Sequence, residues 1–256
     1  MAANNWLEGR HALITGGGTG IGAATATHLH GAGASISVLG RRLGPLQSTA
    51  ATVSGTAIQC DVTDRSAIER AYDEARAANG PISLLIVNAG IGDSAPFART
   101  TREQWDRIIA TNLTAAFECA QAALPDLLAQ QDSRIVFVAS VAGLRAAAYA
   151  APYAASKHGV IGLMRSMAEE FARTSMTVNA VCPSFVDTAM THETVARIAR
   201  VTQRDEQQSR AAIEGMNRHG RLVQPQAVAT MILTLCLPQS RDVNGAAIPI
   251  DGGTTA

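Results

Sequence analysis

The chain has 256 residues, 47% of them hydrophobic and 16% charged, and its 21 Lys+Arg balance 21 Asp+Glu. That composition predicts a soluble globular chain with a large core, and it excludes an extended disordered one. A formal net charge of zero offers no basic footprint for nucleic acid or an anionic membrane, and no apolar run approaches the roughly 20 residues that would span a bilayer.

In chain order, the first apolar run, His11–Thr15, predicts a strand. It feeds Thr15-Gly16-Gly17-Gly18-Thr19-Gly20-Ile21-Gly22 and then a helical pattern over Ile21–His30. A second strand, Ser35–Leu39, ends at Gly40-Arg41-Arg42. A third, Ala57–Cys60, leads through Asp61-Val62 to a helix over Asp64–Ala78, and a fourth, Ser83–Val87, through Asn88-Ala89-Gly90 to a helix over Arg102–Gln130. The fifth strand, Arg134–Ser140, precedes a helix over Tyr153–Arg173, and the sixth is Thr177–Cys182. A long polar, arginine-bearing stretch from Ala189 to Gly220 exceeds an ordinary connection and is read as a mobile lid over the site. A helix over Pro225–Leu237 and a seventh strand, Ala246–Ile250, close the pattern.

The strands are rich in Val, Ile and Leu without polar alternation, as parallel strands covered on both faces should be. Their alternation with helices predicts an α/β fold: one domain over residues 1–256, a doubly wound Rossmann-like sheet of about seven parallel strands with helices on both faces. The lid spans about 189–220. Four cysteines without C-x-x-C pairing predict buried thiols, and six histidines without H-E-x-x-H or carboxylate-clustered spacing predict no metal site. Met1 to Arg10 lack the cationic start and apolar centre of a signal peptide, so a cytoplasmic location is expected.

The glycine cluster between first strand and first helix points to a dinucleotide. Glycines permit a tight turn and close approach to a pyrophosphate, whose charge the free N–H groups at the helix start favour. An NAD site usually has an acid about 20 residues further on, yet no Asp or Glu occurs between Gly22 and Asp61. Arg41 and Arg42 stand there instead and can grip an added phosphate, which favours NADP(H) while leaving NAD(H) open.

Of the 21 cationic side chains only Lys157 is a lysine, four residues after Tyr153 in Tyr153-Ala154-Ala155-Ser156-Lys157. On a helix this spacing sets both on one face, about 6 Å of rise apart. A nearby ammonium favours the phenolate and brings the tyrosine toward use as an acid or base near neutrality.

Together, the glycine motif, Tyr153 and Lys157 resemble the short-chain dehydrogenase/reductase family from about Arg10 to Gly253. Further landmarks are Asp61-Val62, Asn88-Ala89-Gly90, Asn112, Ser140, Cys182-Pro183 with Thr188, and Ile250-Asp251-Gly252-Gly253. The resemblance implies that Gly16, Thr19, Gly20, Ile21 and Gly22 hold the phosphates, Asp61 and Val62 the adenine, and Asn88, Ala89 and Gly90 the neighbouring ribose. It implies that Pro183, Val186 and Thr188 hold the nicotinamide. Tyr153 would be the general acid, Lys157 would bind the nicotinamide ribose, Ser140 would donate to the reacting oxygen, and Asn112 would link the proton path to Lys157. Two departures stand out. Ser184 replaces the usual glycine after the proline, and Val87 replaces the first asparagine of an N-N-A-G.

Small apolar residues, Val141 to Leu144 and Ala146 to Ala151, leave room for an acyl chain or ring. Six arginines against four acids in Ala189–Arg221 are compatible with the phosphates of a coenzyme A or carrier-protein thioester. The run from Ala151 to Gly159 is similar to 3-oxoacyl and polyketide ketoreductases of the family, so interconversion of a ketone and a secondary alcohol is expected on a 3-oxoacyl thioester. The alternatives are a dehydrogenase of a small, aromatic or alicyclic alcohol, and a non-catalytic nucleotide sensor. Alanine-rich helices that resemble the family's pairing surface imply a homo-oligomer, a tetramer.

Overall fold

The computed structural model describes residues 5–203 and 205–256. Seven strands form one parallel sheet: β1 His11–Thr15, β2 Ser35–Gly40, β3 Thr56–Gln59, β4 Leu84–Val87, β5 Arg134–Val138, β6 Thr177–Pro183 and β7 Ala247–Ile250. Their spatial order is β3-β2-β1-β4-β5-β6-β7, and every neighbouring pair is parallel. The order reverses between β1 and β4, which opens a crevice beyond the carboxyl ends of those two strands.

Side-chain alternation builds two cores. Leu13, Leu85, Ile135 and Phe137 face one layer, together with Ile68, Cys119 and Val160, whereas Ala12, Ile14, Ile86 and Val136 face the other with Leu29, Val228 and Ile232. The first layer is carried by α3 Arg65–Asn79, α5 Ala115–Ala129 and α6 Ala151–Glu170, the second by α1 Gly20–Gly31, α2 Leu43–Thr52 and α9 Pro225–Cys236. All four cysteines are buried and unpaired. Among the described residues no helix is long and apolar enough to cross a membrane.

Three departures from the sequence reading concern helices. α2 has no predicted counterpart, because Gly44 and Pro45 in its first turn read as a loop. The helix expected over Arg102–Gln130 is two helices, α4 Arg102–Ile109 and α5, joined by a π-helical turn at Ala110–Thr114. The lid stretch contains α7 Ala189–Thr202 and α8 Glu206–Glu214; Asp205 caps α8 by accepting from Gln208 N at 2.7 Å. Arg204, one of the six lid arginines, and Met1 to Asn4 lie outside the described residues.

Candidate active site

The glycine turn is built around an oxygen and an amide. Gly16 sits at φ +66°, and a Cβ there would meet Asn88 Nδ2 at 2.9 Å and the Ala89 backbone at 3.0 Å. A Cβ on Gly22 would lie 2.3 Å from the Gly16 carbonyl oxygen. Neither position admits a side chain, so the turn stays open above the first turn of α1. Thr19 caps that helix without a side-chain bond, which leaves the first-turn N–H groups without a side-chain acceptor and able to take an anion. This cradle fits a dinucleotide pyrophosphate.

Asn88 fixes the turn from across the switch point. Its amide donates to Thr15 O at 2.9 Å and Gly16 O at 3.1 Å, and Thr15 Oγ1 accepts from the Asn88 and Ala89 backbone N–H groups at 3.0 Å each. Thr15 was not among the expected site residues. Its only signal in the sequence is a hydroxyl that follows three apolar residues at the last position of the strand.

Arg41 and Arg42 follow β2, both exposed, and neither guanidinium joins the ion pairs among the described residues. The first turn of α2 packs on the glycine turn, where a Cβ on Gly18 would meet Leu46 N at 3.1 Å. Asp61, after β3, accepts from Thr63 N at 3.0 Å and Thr63 Oγ1 at 2.8 Å, and these bonds hold its carboxyl below the usual range. Val62 beside it is buried.

At the other half of the crevice, Ser140 stands two residues past β5 and caps a short turn, Pro183 ends β6, and α6 carries Tyr153 and Lys157. Ser140 Oγ accepts from Ala142 N at 3.1 Å and approaches Pro183 O at 3.4 Å. Lys157 is 5% exposed; its ammonium donates to Val138 O at 2.9 Å and lies 5.7 Å from the centroid of the half-buried Tyr153 ring. Burial lowers the Lys157 pKa to about 8. Burial also raises Tyr153, with the Ser140 hydroxyl pulling the other way. The lowering of the tyrosine expected from the ammonium is therefore outweighed. Desolvation outweighs the ammonium, whose charge is bonded to the Val138 carbonyl.

Asn112 stands in the π-helical turn, buried. Its Oδ1 accepts from Ile91 N at 2.8 Å, and its Nδ2 donates to Ile91 O at 2.9 Å and to Ser156 Oγ at 3.1 Å. Ser156 Oγ in turn donates to Tyr153 O at 2.7 Å. A π turn widens one helical loop and is common where function displaces the backbone. A Cβ on Gly90 would be 3.3 Å from Asn112 Oδ1 and 3.6 Å from Lys157 Nζ, so the strand-end glycine lets these groups converge.

Residues 10–199 match the family described as short chain dehydrogenase. The chain belongs to the short-chain dehydrogenase family. This dehydrogenase is 35% identical to 3-oxoacyl-acyl-carrier-protein reductase MabA of Mycobacterium tuberculosis over 95% of its own length and 92% of that protein's. It is 34% identical to D-beta-hydroxybutyrate dehydrogenase of Cupriavidus necator, covering 98% of this chain and 99% of that one. Among solved structures, a variant of actinorhodin polyketide ketoreductase with NADPH superposes with a TM-score of 0.92 at 32% identity, covering 96% and 97% of the two chains. The chain is therefore an oxidoreductase of a family that uses NAD(P)H.

In this dehydrogenase the stretch expected to form a lid begins beside the glycine turn. Val186 bridges Val223 in parallel, and Thr188 caps α7 with no side-chain cap bond. Thr188 faces the glycine turn, since a Cβ on Gly20, at φ +56°, would lie 3.0 Å from its methyl group. Two of the lid arginines are already engaged by carboxylates: Arg197 pairs with Asp93 at 2.6 Å, and Arg210 with Glu214 at 2.9 Å.

Proposed function

We propose that this dehydrogenase is an NADPH-dependent reductase that converts the ketone of a 3-oxoacyl thioester, or a similar ketone, into a secondary alcohol. The observation that carries the reading is the convergence of Ser140, Tyr153 and the single lysine at the carboxyl ends of β5 and α6's first turns, beside a glycine cradle. Likeness to a 3-oxoacyl reductase and to a polyketide ketoreductase supports the substrate class.

The nicotinamide, when bound, supplies hydride to the carbonyl carbon. Tyr153 gives its phenolic proton to the carbonyl oxygen, and Ser140 donates a hydrogen bond to that oxygen as charge develops on it. Lys157 binds the nicotinamide ribose and, as an ammonium, stabilises the phenolate left behind. Asn112 and Ser156 hold the Tyr153–Lys157 turn of α6 against the loop after β4. Glycine and threonine residues of the cradle, with Asp61, Val62, Asn88 to Gly90, Pro183, Val186 and Thr188, bind the rest of the cofactor.

Arg41 and Arg42 select NADPH over NADH by gripping the added phosphate, a reading supported by their freedom from carboxylate partners among the described residues. Arg41→Ala and Arg42→Ala are each expected to weaken NADPH binding by about tenfold and to leave NADH binding within twofold. Fluorescence titration of both nucleotides checks this, and tighter binding of NADH by the unmodified protein sinks the preference. The second reading, oxidation of a small hydroxy acid or alcohol, has the likeness to D-beta-hydroxybutyrate dehydrogenase in its favour. Comparing kcat/KM for 3-oxoacyl thioesters with that for free 3-hydroxy acids separates the two.

A further inference from the structure

We propose that Asp93 is a positioning residue, a latch that holds lid helix α7 closed across the cofactor crevice and ties that closure to the Asn112 end of the site. The inference rests on the reading of this crevice as the NADPH site. The segment after β4 makes one continuous series of contacts: Asn88 bonds the glycine turn, Ile91 is held at both its N–H and its carbonyl by Asn112, and Asp93 bonds the lid. Between them, a Cβ on Gly92 would lie 3.2 Å from Met190 Sδ, so α7 rests directly on this segment.

The lid helix is therefore fastened on both sides of the crevice. Its root, Thr188, touches Gly20 of the glycine turn, and Arg197 reaches Asp93 nine residues later, about 13 Å along the helix.

The charges suit a reversible latch. Asp93 Oδ1 takes Arg197 Nη1 at 2.6 Å and Oδ2 takes Arg107 Nη2 of α4 at 2.7 Å. Each guanidinium binds through one nitrogen only, not as a bidentate fork, and Arg197 Nε is buried with no partner. When α7 lifts, Arg197 goes to water and Asp93 keeps Arg107, so opening strands no uncompensated carboxylate. The three groups come from the β4 loop, α4 and the lid, and nothing else in the proposed chemistry uses them.

Hydrogen exchange on the full chain, with and without NADPH, tests the latch together with the rate of NADPH dissociation. Asp93→Asn and Arg197→Gln are each expected to speed exchange in 189–202 about fivefold and to release NADPH faster by a similar factor. Arg107→Gln should leave both within twofold, because the Asp93–Arg197 pair survives it. The double variant Asp93→Asn/Arg197→Gln should exceed neither single variant, since the Asp93–Arg197 pair is the one contact to α7 that both remove. Unchanged exchange in 189–202, an acceleration spread evenly over the chain, or additive single effects would overturn the proposal. The exchange arm needs no turnover, so a wild-type chain that reduces no ketone contradicts the proposed function and leaves the latch to its own result.

Discussion

Replacing Tyr153 by phenylalanine is expected to lower kcat for ketone reduction by roughly three orders of magnitude while NADPH binding and the fold survive. The substitution removes one oxygen and with it the phenolic proton that the proposed mechanism delivers to the carbonyl oxygen. Lys157→Arg is expected to fail nearly as badly. The site holds an ammonium, 5% exposed, on a single carbonyl at 2.9 Å, and a longer planar fork does not fit that place.

The pKa values give this prediction a pH dependence. Lys157 is lowered to about 8 by burial, so the ligand-free protein loses its ammonium as pH rises through that value, and NADPH affinity should fall there too. Lys157→Met should abolish the inflection along with the activity. The folded chain releases this proton near pH 8 and the unfolded chain near 10.5. The unfolded state thus binds more protons between those values, and this group makes stability rise with pH across that window. At neutral pH the buried ammonium costs stability, and Lys157→Met is expected to stabilise the inactive protein by about 2 kcal/mol after the orphaned Val138 carbonyl is counted. Urea denaturation measures it, and a loss of stability in Lys157→Met would show that the ammonium is a structural group. Because Lys157 is the only lysine, amine-selective methylation in a peptide map should find it shielded by NADPH.

Gly22→Ala is expected to produce the second large effect, in both binding and stability. The added methyl would lie 2.3 Å from Gly16 O and 2.8 Å from Asn88 Nδ2, and the first of these contacts is backbone that cannot step aside. The glycine turn must then shift, taking with it the carbonyls that Asn88 bonds and the mouth of α1. A loss of about 2–3 kcal/mol in stability and of at least about a hundredfold in NADPH affinity should follow. Gly31→Ala is the control: at the far end of α1 nothing lies within 4 Å of the new Cβ, and the change should be neutral or slightly stabilising. Equal behaviour of the two variants in nucleotide titration and denaturation would remove the close-approach explanation.

The sheet was legible because buried parallel strands are written as short apolar runs, and His11–Thr15 matches to the residue. Tyr153 and Lys157 were legible as a pair because a spacing of four fixes a shared helix face whatever the fold around it. Environment was not legible in the same way. The rise in Tyr153's pKa depends on water excluded by residues distant in sequence, and no local pattern records that. Nor does any local pattern join Asp93 to Arg197, 104 positions apart, or mark the π turn that turns Asn112 inward. α2 was missed for a narrower reason: Gly44 and Pro45 are turn-forming by propensity, and packing of Leu46 into the core outweighs them.

Ketone reduction is read out by following NADPH absorbance while the purified chain is given a 3-oxoacyl thioester, with the alcohol product quantified in parallel. Steady NADPH oxidation matched mole for mole by alcohol is expected, with slower turnover with NADH and a rate at background in Tyr153→Phe. A folded, NADPH-binding chain that oxidises none of it with any 3-oxoacyl thioester or simple ketone, or a Tyr153→Phe protein that keeps pace with the wild type, would contradict the proposed function.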